Sequence, residues 1–464
     1  MTLWVPELPP DGTRYRALAD AIAAAIADGE LTPGQRLPPQ RRLADALGVT
    51  VGTVTRAYAE AERRDLVEAR VGSGTYVRER AAPDSGFRHV AAEAPPGLID
   101  LSLSLPPPHP DRPAGLAEAL TSIAADPEAL AEAVGYQGEC GTTRHRAVLA
   151  RWLTALGLPM DADELTITLG GQHGIFLALH ALTQPGERIA CAALTYPGLI
   201  NAAQQCHRKP LRVPLDDDGI DVDALARLCA QQPPRLVYVT PEQNNPTGAR
   251  LAEARRHQLV ELARRHDIWL VEDGVQYMPP QARDTPLYRL APERTLYLFS
   301  TSKVIAGGLR VGVMRAPAVL HERLANLLLA QSWMVPPLMV EAVCRWIDSG
   351  AADRLLAWQI EETVERQRLA MARLAAYSPR GQVHGSHLWL NLPEGWRAGA
   401  LLGQLERHGV RVTGGEPFCV GSEPVPQAIR LCPSAAPDRP ALERALTAIA
   451  TTLEAPAGHP WRTL

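Results

Sequence analysis

The stretch TLYLFSTSKVIAGGLR, residues 295–310, joins an apolar strand to a polar turn that contains a lysine. Thr295–Phe299 is rich in apolar and aromatic residues, which predicts a buried strand, and Ser300-Thr-Ser-Lys303 follows it directly. Lysine is scarce, because Lys209 and Lys303 are the two lysines among 47 basic residues. An amine can act as a neutral nucleophile and a guanidinium cannot, so a lysine at a strand end predicts a covalent binding site at Lys303. Lys209 lies in the polar stretch Cys206-His-Arg-Lys-Pro210, which predicts a turn, and no such role is predicted for it.

Other apolar strands alternate with helical stretches on both sides of this segment. The predicted strands are Leu165–Thr168, Arg188–Cys191, Leu236–Thr240, Ile268–Val271 and Thr295–Phe299. Strands that alternate with helices predict an α/β fold with a mostly parallel, doubly wound sheet. From about residue 346 the pattern changes to a long helix near Ala351–Ala375 and a strand at His387–Asn391, which predicts a small C-terminal α+β subdomain over residues 346–464.

Polar motifs follow several of these strands. Asn244-Asn-Pro-Thr-Gly248 follows one strand, Glu272-Asp273 ends another, and Tyr196-Pro197 follows a third. Gly170-Gly-Gln-His-Gly174 opens a predicted helix, whose N-terminal amides can hold a phosphate. In open α/β sheets, ligands bind at the carboxyl ends of the strands, so we expect these motifs to share one crevice with Lys303.

The first 78 residues have a different pattern. Helices are predicted at residues 14–28, around Pro38–Leu47 and from Thr50, which can cap the third helix. Two short strands follow, joined by Val71-Gly-Ser-Gly74. Three helices and a β-hairpin predict a winged helix-turn-helix over residues 1–78. An Ala-, Pro-, Asp- and Ser-rich linker is predicted over 79–96, and the α/β domain over 97–464.

Composition restricts what this N-terminal domain binds and where the chain resides. The net charge of the chain is -4, so a DNA contact has to be local, and residues 33–58 supply it with four arginines against one aspartate.

The longest aliphatic run, Ala21–Ala27, is too short for a membrane span, and residues 1–16 have no export signal. The seven cysteines form no CxxC pair, so we predict reduced thiols and no metal site.

A winged helix predicts contacts with double-stranded DNA from the recognition helix and from the wing. The N-terminus of the third helix points toward phosphates or base edges, and nearby arginines reach phosphates or guanine. The candidate DNA-binding residues are Arg41, Thr50, Thr53, Arg56, Arg70, Gly72, Ser73 and Gly74. A winged helix that is used for protein contacts is the alternative.

Three segments of this domain resemble the N-terminal domain of GntR-family repressors. They are Pro33–Leu43, Leu47–Tyr58 and the wing Arg70–Val77, which together cover nearly all of residues 14–78. In that family an arginine that contacts DNA often occupies the position held here by Val51. The resemblance implies that the domain binds a DNA operator.

The motifs at the strand ends jointly resemble fold-type I aminotransferases, which use pyridoxal 5'-phosphate. The resemblance implies that Lys303 forms a Schiff base with the cofactor aldehyde and that Asp273 pairs with the pyridine nitrogen, as the two catalytic residues. Asn245 would bind the phenolic oxygen, and Tyr196 would stack on the ring. The implied phosphate ligands are Gly171, Gln172, Ser300, Ser302 and Arg310.

Two further residues match family positions, and one position departs from the family. Arg430 matches the arginine that binds the substrate carboxylate, and Tyr136 matches a tyrosine that reaches the phosphate of the neighbouring subunit, which implies a homodimer. In the family a tyrosine usually follows the pyridine aspartate by two or three residues. Here Gln276 either takes its place or the register shifts to use Tyr277.

The winged helix, linker and aminotransferase-like domain together resemble the MocR-type regulators over essentially the whole chain. The resemblance implies a cytoplasmic, bacterial, homodimeric transcription factor that associates with the nucleoid when bound to DNA. It would sense an amine or amino acid through formation of an external aldimine. One alternative is a working aminotransferase that carries a DNA-binding domain. Another is a repressor whose aminotransferase fold serves as a dimerisation scaffold, although the intact Lys303, Asp273 and Asn245 argue against it.

Overall fold

The computed structural model describes residues 4–9, 13–27, 29–64, 66–70, 74–78, 95, 97–421 and 423–455. The chain divides into two compact units, residues 1–87 with 421–426, and residues 88–420 with 427–464. Apart from Pro95, the predicted linker at 79–96 lies outside the described residues.

The first unit is built from three helices and a β-hairpin, as predicted. The helices are α1 (Arg14–Ala27), α2 (Gln40–Leu47) and α3 (Val51–Arg63), and the hairpin strands are β1 (Val67–Arg70) and β2 (Gly74–Val77). The strands pair antiparallel, with Val67 opposite Val77. Leu18, Ile22, Leu43 and Val54 are fully buried in one small core, which follows from their spacing on the helices.

The second unit contains the remaining helices and strands. Its α-helices are α4 (Asp111–Ala124), α5 (Pro127–Val134), α6 (Thr143–Ala155), α7 (Gly171–Leu182), α8 (Pro197–Gln205), α9 (Val222–Gln231), α10 (Glu253–Arg265), α11 (Leu287–Leu290), α12 (His321–Ser332), α13 (Pro337–Asp348), α14 (Ala351–Arg373), α15 (Ala398–Arg407) and α16 (Arg439–Glu454). Its strands are β3 (Ile99–Asp100), β4 (Leu165–Thr168), β5 (Arg188–Ala192), β6 (Lys209–Val213), β7 (Leu215–Asp216), β8 (Gly219–Ile220), β9 (Leu236–Val239), β10 (Trp269–Asp273), β11 (Thr295–Ser300), β12 (Gly312–Arg315), β13 (Leu388–Asn391), β14 (Val410–Arg411), β15 (Thr413–Gly414) and β16 (Ala428–Leu431).

A seven-stranded sheet in the order β4-β12-β11-β10-β9-β5-β6 forms the centre of this unit. Four of its neighbouring pairs are parallel, and β12 is antiparallel to both β4 and β11. The predicted mostly parallel sheet is therefore confirmed, while the strands β6 and β12 were not predicted; Lys209, expected in a turn, begins β6. Glu272 and Asp273 are the last two residues of β10, which extends two residues beyond the predicted Ile268–Val271.

Helices cover both faces of the sheet, because successive side chains of each strand point to opposite sides. Leu296 and Leu298 of β11 pack in a core with residues of α7, α8 and α12, whereas Tyr297 and Phe299 pack in another core with α6, α13 and α14. Along β9, Val237 faces a third core with α9 and α10. Burial on both faces explains why these strands are continuous apolar runs.

A smaller antiparallel sheet, β13-β16-β15, packs with α14, α15 and α16 around its own core. The strand β3, near the start of the second unit, pairs with β14, which lies far along the chain. This pairing places the segment that starts the second unit beside the smaller sheet. Thr413 extends the connection, since its hydroxyl donates to the carbonyl of Ser102 at 3.0 Å.

In the described part of the chain, no single helix is long and apolar enough to cross a membrane. One pair of helical segments, Ala318–Ser332 and Pro337–Asp348, meets the length and composition test together, with a bend of 118° between them.

Candidate cofactor site and nucleic-acid interface

The carboxyl ends of β4, β5, β9, β10 and β11 bring the predicted cofactor residues to one edge of the sheet. Asp273 ends β10 and Ser300 ends β11, and these two strands are direct neighbours. Asn245 follows β9 on the other side of β10. The crevice predicted from the strand-end motifs is therefore assembled by the order of the strands.

Asp273 is a buried carboxylate with two hydrogen-bond donors. Tyr238 Oη donates to Oδ2 at 2.5 Å, and the amide of Val275 donates to Oδ1 at 2.9 Å. Burial raises the pKa of Asp273, and the two donors together with the charge of Lys303 oppose this rise. Sequence analysis missed Tyr238. The signal was present in the strand period, because Tyr238 pairs with Val271, which lies on the same face of the sheet as Asp273.

Lys303 lies in the turn after β11, and its side chain points into the unit. Its Nζ donates to the carbonyl oxygen of Ser104. Burial of the ammonium lowers the pKa of Lys303 to about 8, with the charges of Arg430 and Arg310 also lowering it. A lysine with this pKa is partly neutral near pH 8, which is the form that reacts with an aldehyde.

The start of α7 forms a cradle beside this turn. Gly170 precedes the helix at a positive φ of 80°, and a Cβ at that position would collide with the guanidinium of Arg310. A Cβ on Gly171 would lie 2.7 Å from Val275 Cγ2. Arg310 donates to the carbonyl of Leu169 at 3.0 Å, so its guanidinium is held at the N-terminus of the helix. Backbone amides and an arginine at one helix start are suited to a phosphate.

Two hydroxyls and an amide complete the predicted phosphate site. Ser300 Oγ lies 2.8 Å from Ser302 Oγ, and Arg310 Nη1 donates to Ser302 Oγ at 3.3 Å. Gln172 donates from Nε2 to the carbonyl of Gly198 at 2.9 Å, while its buried Oε1 has no hydrogen-bond partner. Tyr196 immediately precedes α8 and is half-buried, next to Gln172 and Gly198.

Arg430 approaches the same crevice from β16 of the smaller sheet. Nη1 donates to Asn245 Oδ1 at 2.8 Å, Nη2 donates to the carbonyl of Ser102, and Nε is buried without a partner. The guanidinium lies 4.8 Å from the ring centre of Phe418, which fixes its plane. Two of its five N–H donors bond neutral oxygens, so Nε and one hydrogen each on Nη1 and Nη2 remain for a ligand.

The environments of Gln276 and Tyr277 show which of these two residues faces the crevice, where the family usually has a tyrosine. Tyr277 Oη donates to the carbonyl of Leu156 at 3.4 Å, and its ring packs beside Arg283 and the core of α6. Gln276 instead bonds Ser104 and Ser386, next to the carbonyl that Lys303 contacts. Of the two candidates, Gln276 faces the crevice.

Tyr136 lies on the surface after α5, with 85% of its area exposed. Its ring packs against Trp333, with 5.8 Å between the ring centres, and Trp333 is 59% exposed. The structure describes one chain, and in this chain Tyr136 is not among the groups that bond Lys303, Asp273 or Arg310.

In the first unit, the third helix begins where the sequence predicts. Thr50 precedes α3, its Oγ1 accepts from the amide of Thr53 at 3.2 Å, and the two threonine hydroxyls are 2.9 Å apart. Gly48 ends α2 in the left-handed conformation, with φ of 63°, which makes the tight turn between the two helices. Arg41 on α2 and Arg56 on α3 are exposed.

The wing receives a third segment that the sequence did not predict. Residues 34–37 pair with β2, through bonds such as Leu37 N to the carbonyl of Thr75 at 2.8 Å. This pairing places the side chain of Arg36 beside Gly74, where an added Cβ would be 2.7 Å from Nε. Arg70 ends β1, and the predicted wing residues Gly72 and Ser73 lie outside the described residues.

The groups in the crevice match the chemistry of pyridoxal phosphate. The cradle before α7 offers amides and Arg310 to a phosphate, Asp273 offers a carboxylate to a ring nitrogen, and Lys303 offers an amine to an aldehyde. Fit to the cofactor therefore rests on the donor set, and the absence of a Cβ at Gly170 lets the guanidinium of Arg310 approach the start of α7.

Two family models match the chain. Residues 124–449 match the aminotransferase class I and II family, and residues 14–77 match the bacterial regulatory proteins of the gntR family. The first match covers most of the chain, so the second unit is an aminotransferase class I and II domain.

Two relatives that match most of the chain are named as helix-turn-helix transcriptional regulators. The pyridoxine biosynthesis regulator PdxR of Corynebacterium glutamicum is 30% identical over 350 residues, which cover 73% of each chain. The uncharacterized regulator YdeF of Bacillus subtilis is 28% identical, covering 95% of this chain and 94% of its own. Among solved structures, the α-aminoadipate aminotransferase LysN of Thermus thermophilus, complexed with N-(5'-phosphopyridoxyl)-L-leucine, is 25% identical. It has a TM-score of 0.69 and covers 77% of this chain and 92% of that one.

The two units thus define a helix-turn-helix transcriptional regulator with a pyridoxal phosphate-dependent aminotransferase fold. The chain belongs to the MocR-type regulators of the GntR superfamily. It is a DNA-binding protein whose second unit takes pyridoxal phosphate and an amine or amino-acid ligand.

Proposed function

We propose that this regulator senses a primary amine or amino acid at the cofactor crevice and changes its DNA binding in response. The observation that carries the proposal is the pair of contacts to one short segment. Lys303 Nζ donates to the carbonyl of Ser104, and Arg430 Nη2 donates to the carbonyl of Ser102. An amine nucleophile and a free-donor arginine therefore face one space, as recognition of an amino acid requires.

When bound, pyridoxal phosphate supplies an aldehyde carbon that reacts reversibly with primary amines and a ring that withdraws electrons. Lys303 is the residue that would attach it, and its pKa, lowered by burial to about 8, makes the amine partly neutral near pH 8. Asp273 is the partner of the ring nitrogen, and Tyr238 fixes the orientation of that carboxylate. Asn245 and Tyr196 are proposed to contact the phenolic oxygen and the ring face.

The phosphate group is proposed to bind at the cradle before α7. Gly171 and Gln172 offer the helix N-terminus, and Ser300, Ser302 and Arg310 offer hydroxyl and guanidinium donors. The left-handed backbone of Arg310, with φ of 53°, supports a built site, because a residue other than glycine is held there by surrounding contacts.

Arg430 is proposed to bind the carboxylate of an amino-acid effector. Its bonds to Asn245 and Ser102 would be exchanged for two charge-assisted bonds to the carboxylate. Because Ser102 belongs to the segment that continues from β3, this exchange changes a contact of the segment that starts the second unit. The inference is that effector binding is transmitted through this segment toward the N-terminal unit.

The N-terminal unit is proposed to span residues 1–78, with a linker at 79–96 and the cofactor domain at 97–464. Arg41, Thr50, Thr53, Arg56 and the wing residues Arg70, Gly72, Ser73 and Gly74 are the proposed contacts to a double-stranded operator. One recognition helix reads too few base pairs for specificity, so we propose a homodimer on two half-sites.

The exposed Tyr136 supports the homodimer, because its ring is free to reach the phosphate of a partner subunit. Static light scattering at micromolar concentration tests this, since a monomer that binds the full operator one-to-one would contradict it. As a DNA-binding protein, the chain is proposed to work in the bacterial cytoplasm, at the nucleoid when bound.

A second candidate function is a working aminotransferase attached to a DNA-binding unit. The observation that favours it is the complete set of Lys303, Asp273 with Tyr238, and Arg430 in one crevice. Under this alternative, the protein would release an oxo acid from an amino acid, with Lys303, Asp273 and Arg430 holding the cofactor and the substrate in the same positions.

The deciding experiment titrates the full-length protein with amines and amino acids. The absorption spectrum of the bound cofactor reports ligand binding, and an operator-binding assay on the same samples reports the response. A sensor shows a spectral change, a matched change in DNA affinity and no oxo-acid product. Oxo-acid release without any change in DNA affinity would establish the enzyme instead.

A further inference from the structure

Three neutral side chains form a closed triangle of hydrogen bonds beside the crevice. Gln276 Nε2 donates to Ser104 Oγ at 3.1 Å, the hydroxyls of Ser104 and Ser386 are 2.7 Å apart, and Ser386 Oγ donates to Gln276 Oε1 at 2.9 Å. We call these residues the Ser104–Gln276–Ser386 ring. They come from three separate segments, after β3, after β10 and before β13.

The ring has one hydrogen-bond donor more than it needs. Three bonds close the triangle, and the two hydroxyls and the carboxamide carry four hydrogens, so the second N–H of Gln276 is available. Each serine oxygen also keeps a lone pair. The ring therefore offers one donor next to acceptors. A hydroxyl or carboxamide of a ligand can accept from that donor and can also donate to those acceptors.

The backbone of Ser104 connects the ring to the reactive groups. Its carbonyl accepts from Lys303 Nζ, and the carbonyl of Ser102, two residues earlier, accepts from Arg430. An amino acid with its amine at Lys303 and its carboxylate at Arg430 would place its α-carbon alongside this segment. The side chain of such a ligand then has the ring as its polar neighbour.

The charges around the ring disfavour a charged side chain. Lys303 and Arg430 are the cations that face this segment in the described contacts, and Arg430 pairs with the α-carboxylate of the ligand. His387, next to Ser386, is fully buried, and burial lowers its pKa to about 3, so it is neutral. A second carboxylate would lose its hydration beside three neutral side chains, whereas a hydroxyl or carboxamide can exchange hydrogen bonds with them.

We propose that the Ser104–Gln276–Ser386 ring is a specificity subsite for the effector side chain, and that it selects amino acids with a hydroxyl or carboxamide group. This proposal rests on the proposed amino-acid sensing at the same crevice. It assigns Gln276 and Ser386 as ligand-contacting residues in addition to Lys303 and Arg430.

The test titrates the full-length, cofactor-loaded protein with isosteric pairs and follows the absorption spectrum of the cofactor. L-Threonine is compared with L-valine, and L-glutamine with L-glutamate. We expect threonine and glutamine to bind about tenfold more tightly than their partners, as lost hydrogen bonds in a built site predict. Ser386→Ala is expected to reduce both ratios toward one, and the exposed Ser122→Ala is the matched control that keeps them.

Each outcome is decisive. If valine and glutamate change the spectrum at the same concentrations as threonine and glutamine, the subsite is wrong while amino-acid sensing stands. If all four amino acids leave the spectrum unchanged, amino-acid sensing itself fails, and the subsite fails with it. The affinity ratios measured on the unaltered protein separate these two results, so a variant that loses the cofactor does not affect the test.

Discussion

Arg430 Nη1 donates to Asn245 Oδ1 at 2.8 Å, across 185 positions of sequence and between the smaller sheet and the large one. The residue proposed to bind the effector carboxylate thus holds the residue proposed to bind the cofactor. A ligand that engages Arg430 changes a contact of Asn245 and a contact of Ser102 at once. We propose that occupancy of the crevice is transmitted within the second unit through these two contacts.

Replacement of Lys303 by alanine is expected to abolish the covalent attachment of the cofactor. The purified protein should absorb as a pyridoxal phosphate protein, and borohydride should fix the cofactor to the chain. Lys303→Ala should remove this reducible absorption, because the amine is lost. Lys209→Ala is the control, since Lys209 lies exposed on β6, and loss of the absorption in that variant instead would contradict the assignment.

The loading of the cofactor should depend on pH through Lys303. Its pKa is lowered, so the neutral amine becomes the majority form above about pH 8 rather than near the ordinary value for lysine. The rate at which cofactor-free protein takes up pyridoxal phosphate should therefore rise with pH, with a midpoint near 8. Stopped-flow absorption measures this rate, and a midpoint above about pH 10, the ordinary range for lysine, would show that Lys303 is not desolvated.

Removal of the Tyr238 hydroxyl should weaken cofactor binding. Tyr238→Phe deletes the 2.5 Å bond to Asp273, which stabilises the carboxylate form, so the pKa of Asp273 should rise. Hydrogen bonds to charged groups contribute about 1.5–3 kcal/mol, so we expect at least about a tenfold loss in affinity for pyridoxal phosphate. Tyr277→Phe is the matched control, because that hydroxyl bonds the carbonyl of Leu156. Equal losses in the two variants would remove the assigned role of Tyr238.

Individual arginines of the first unit should each contribute to the salt dependence of DNA binding. Arg41→Ala and Arg56→Ala should weaken operator affinity and lower the slope against salt concentration by about one per lost phosphate contact. Arg36→Ala should do the same, because Arg36 lies beside Gly74 of the wing. Arg16→Ala, on the exposed face of α1, is the control. If the slope against salt concentration is unchanged in all three variants, the DNA-binding surface lies elsewhere on the protein.

The periodicity of the sequence predicted most of the central sheet and the positions of the residues at strand ends. Five of its strands are long apolar runs bounded by turns, and such runs identify a buried strand but not its direction. The antiparallel direction of β12 could therefore not be predicted, and the strands β6 and β12 themselves were missed. The position of Tyr238 beside Asp273 could have been predicted, because strand alternation places both residues on the same face of the sheet.

Contacts between distant segments were not readable from the sequence. Ser102 and Arg430 are separated by 328 positions, and Ser104 and Ser386 by 282, so no local pattern connects them. Their meeting depends on the pairing of β3 with β14, two strands of two residues each, which have too few residues for a periodic signal. The resemblance to aminotransferases located Arg430, whereas the lining of the crevice by Ser102 and Ser104 required the structure.

The most direct test of the sensing mechanism is operator binding by Arg430→Ala with pyridoxal phosphate bound, measured with and without a saturating amino acid that changes the DNA affinity of the parent protein. A tenfold effect on DNA affinity requires about 1.4 kcal/mol of coupling, which a carboxylate–arginine contact made in one state can supply. We predict that Arg430→Ala binds DNA as the parent does without the amino acid and that the amino acid no longer changes this affinity. If the variant responds to the amino acid as fully as the parent, Arg430 is not the carboxylate clamp and the proposed coupling is wrong.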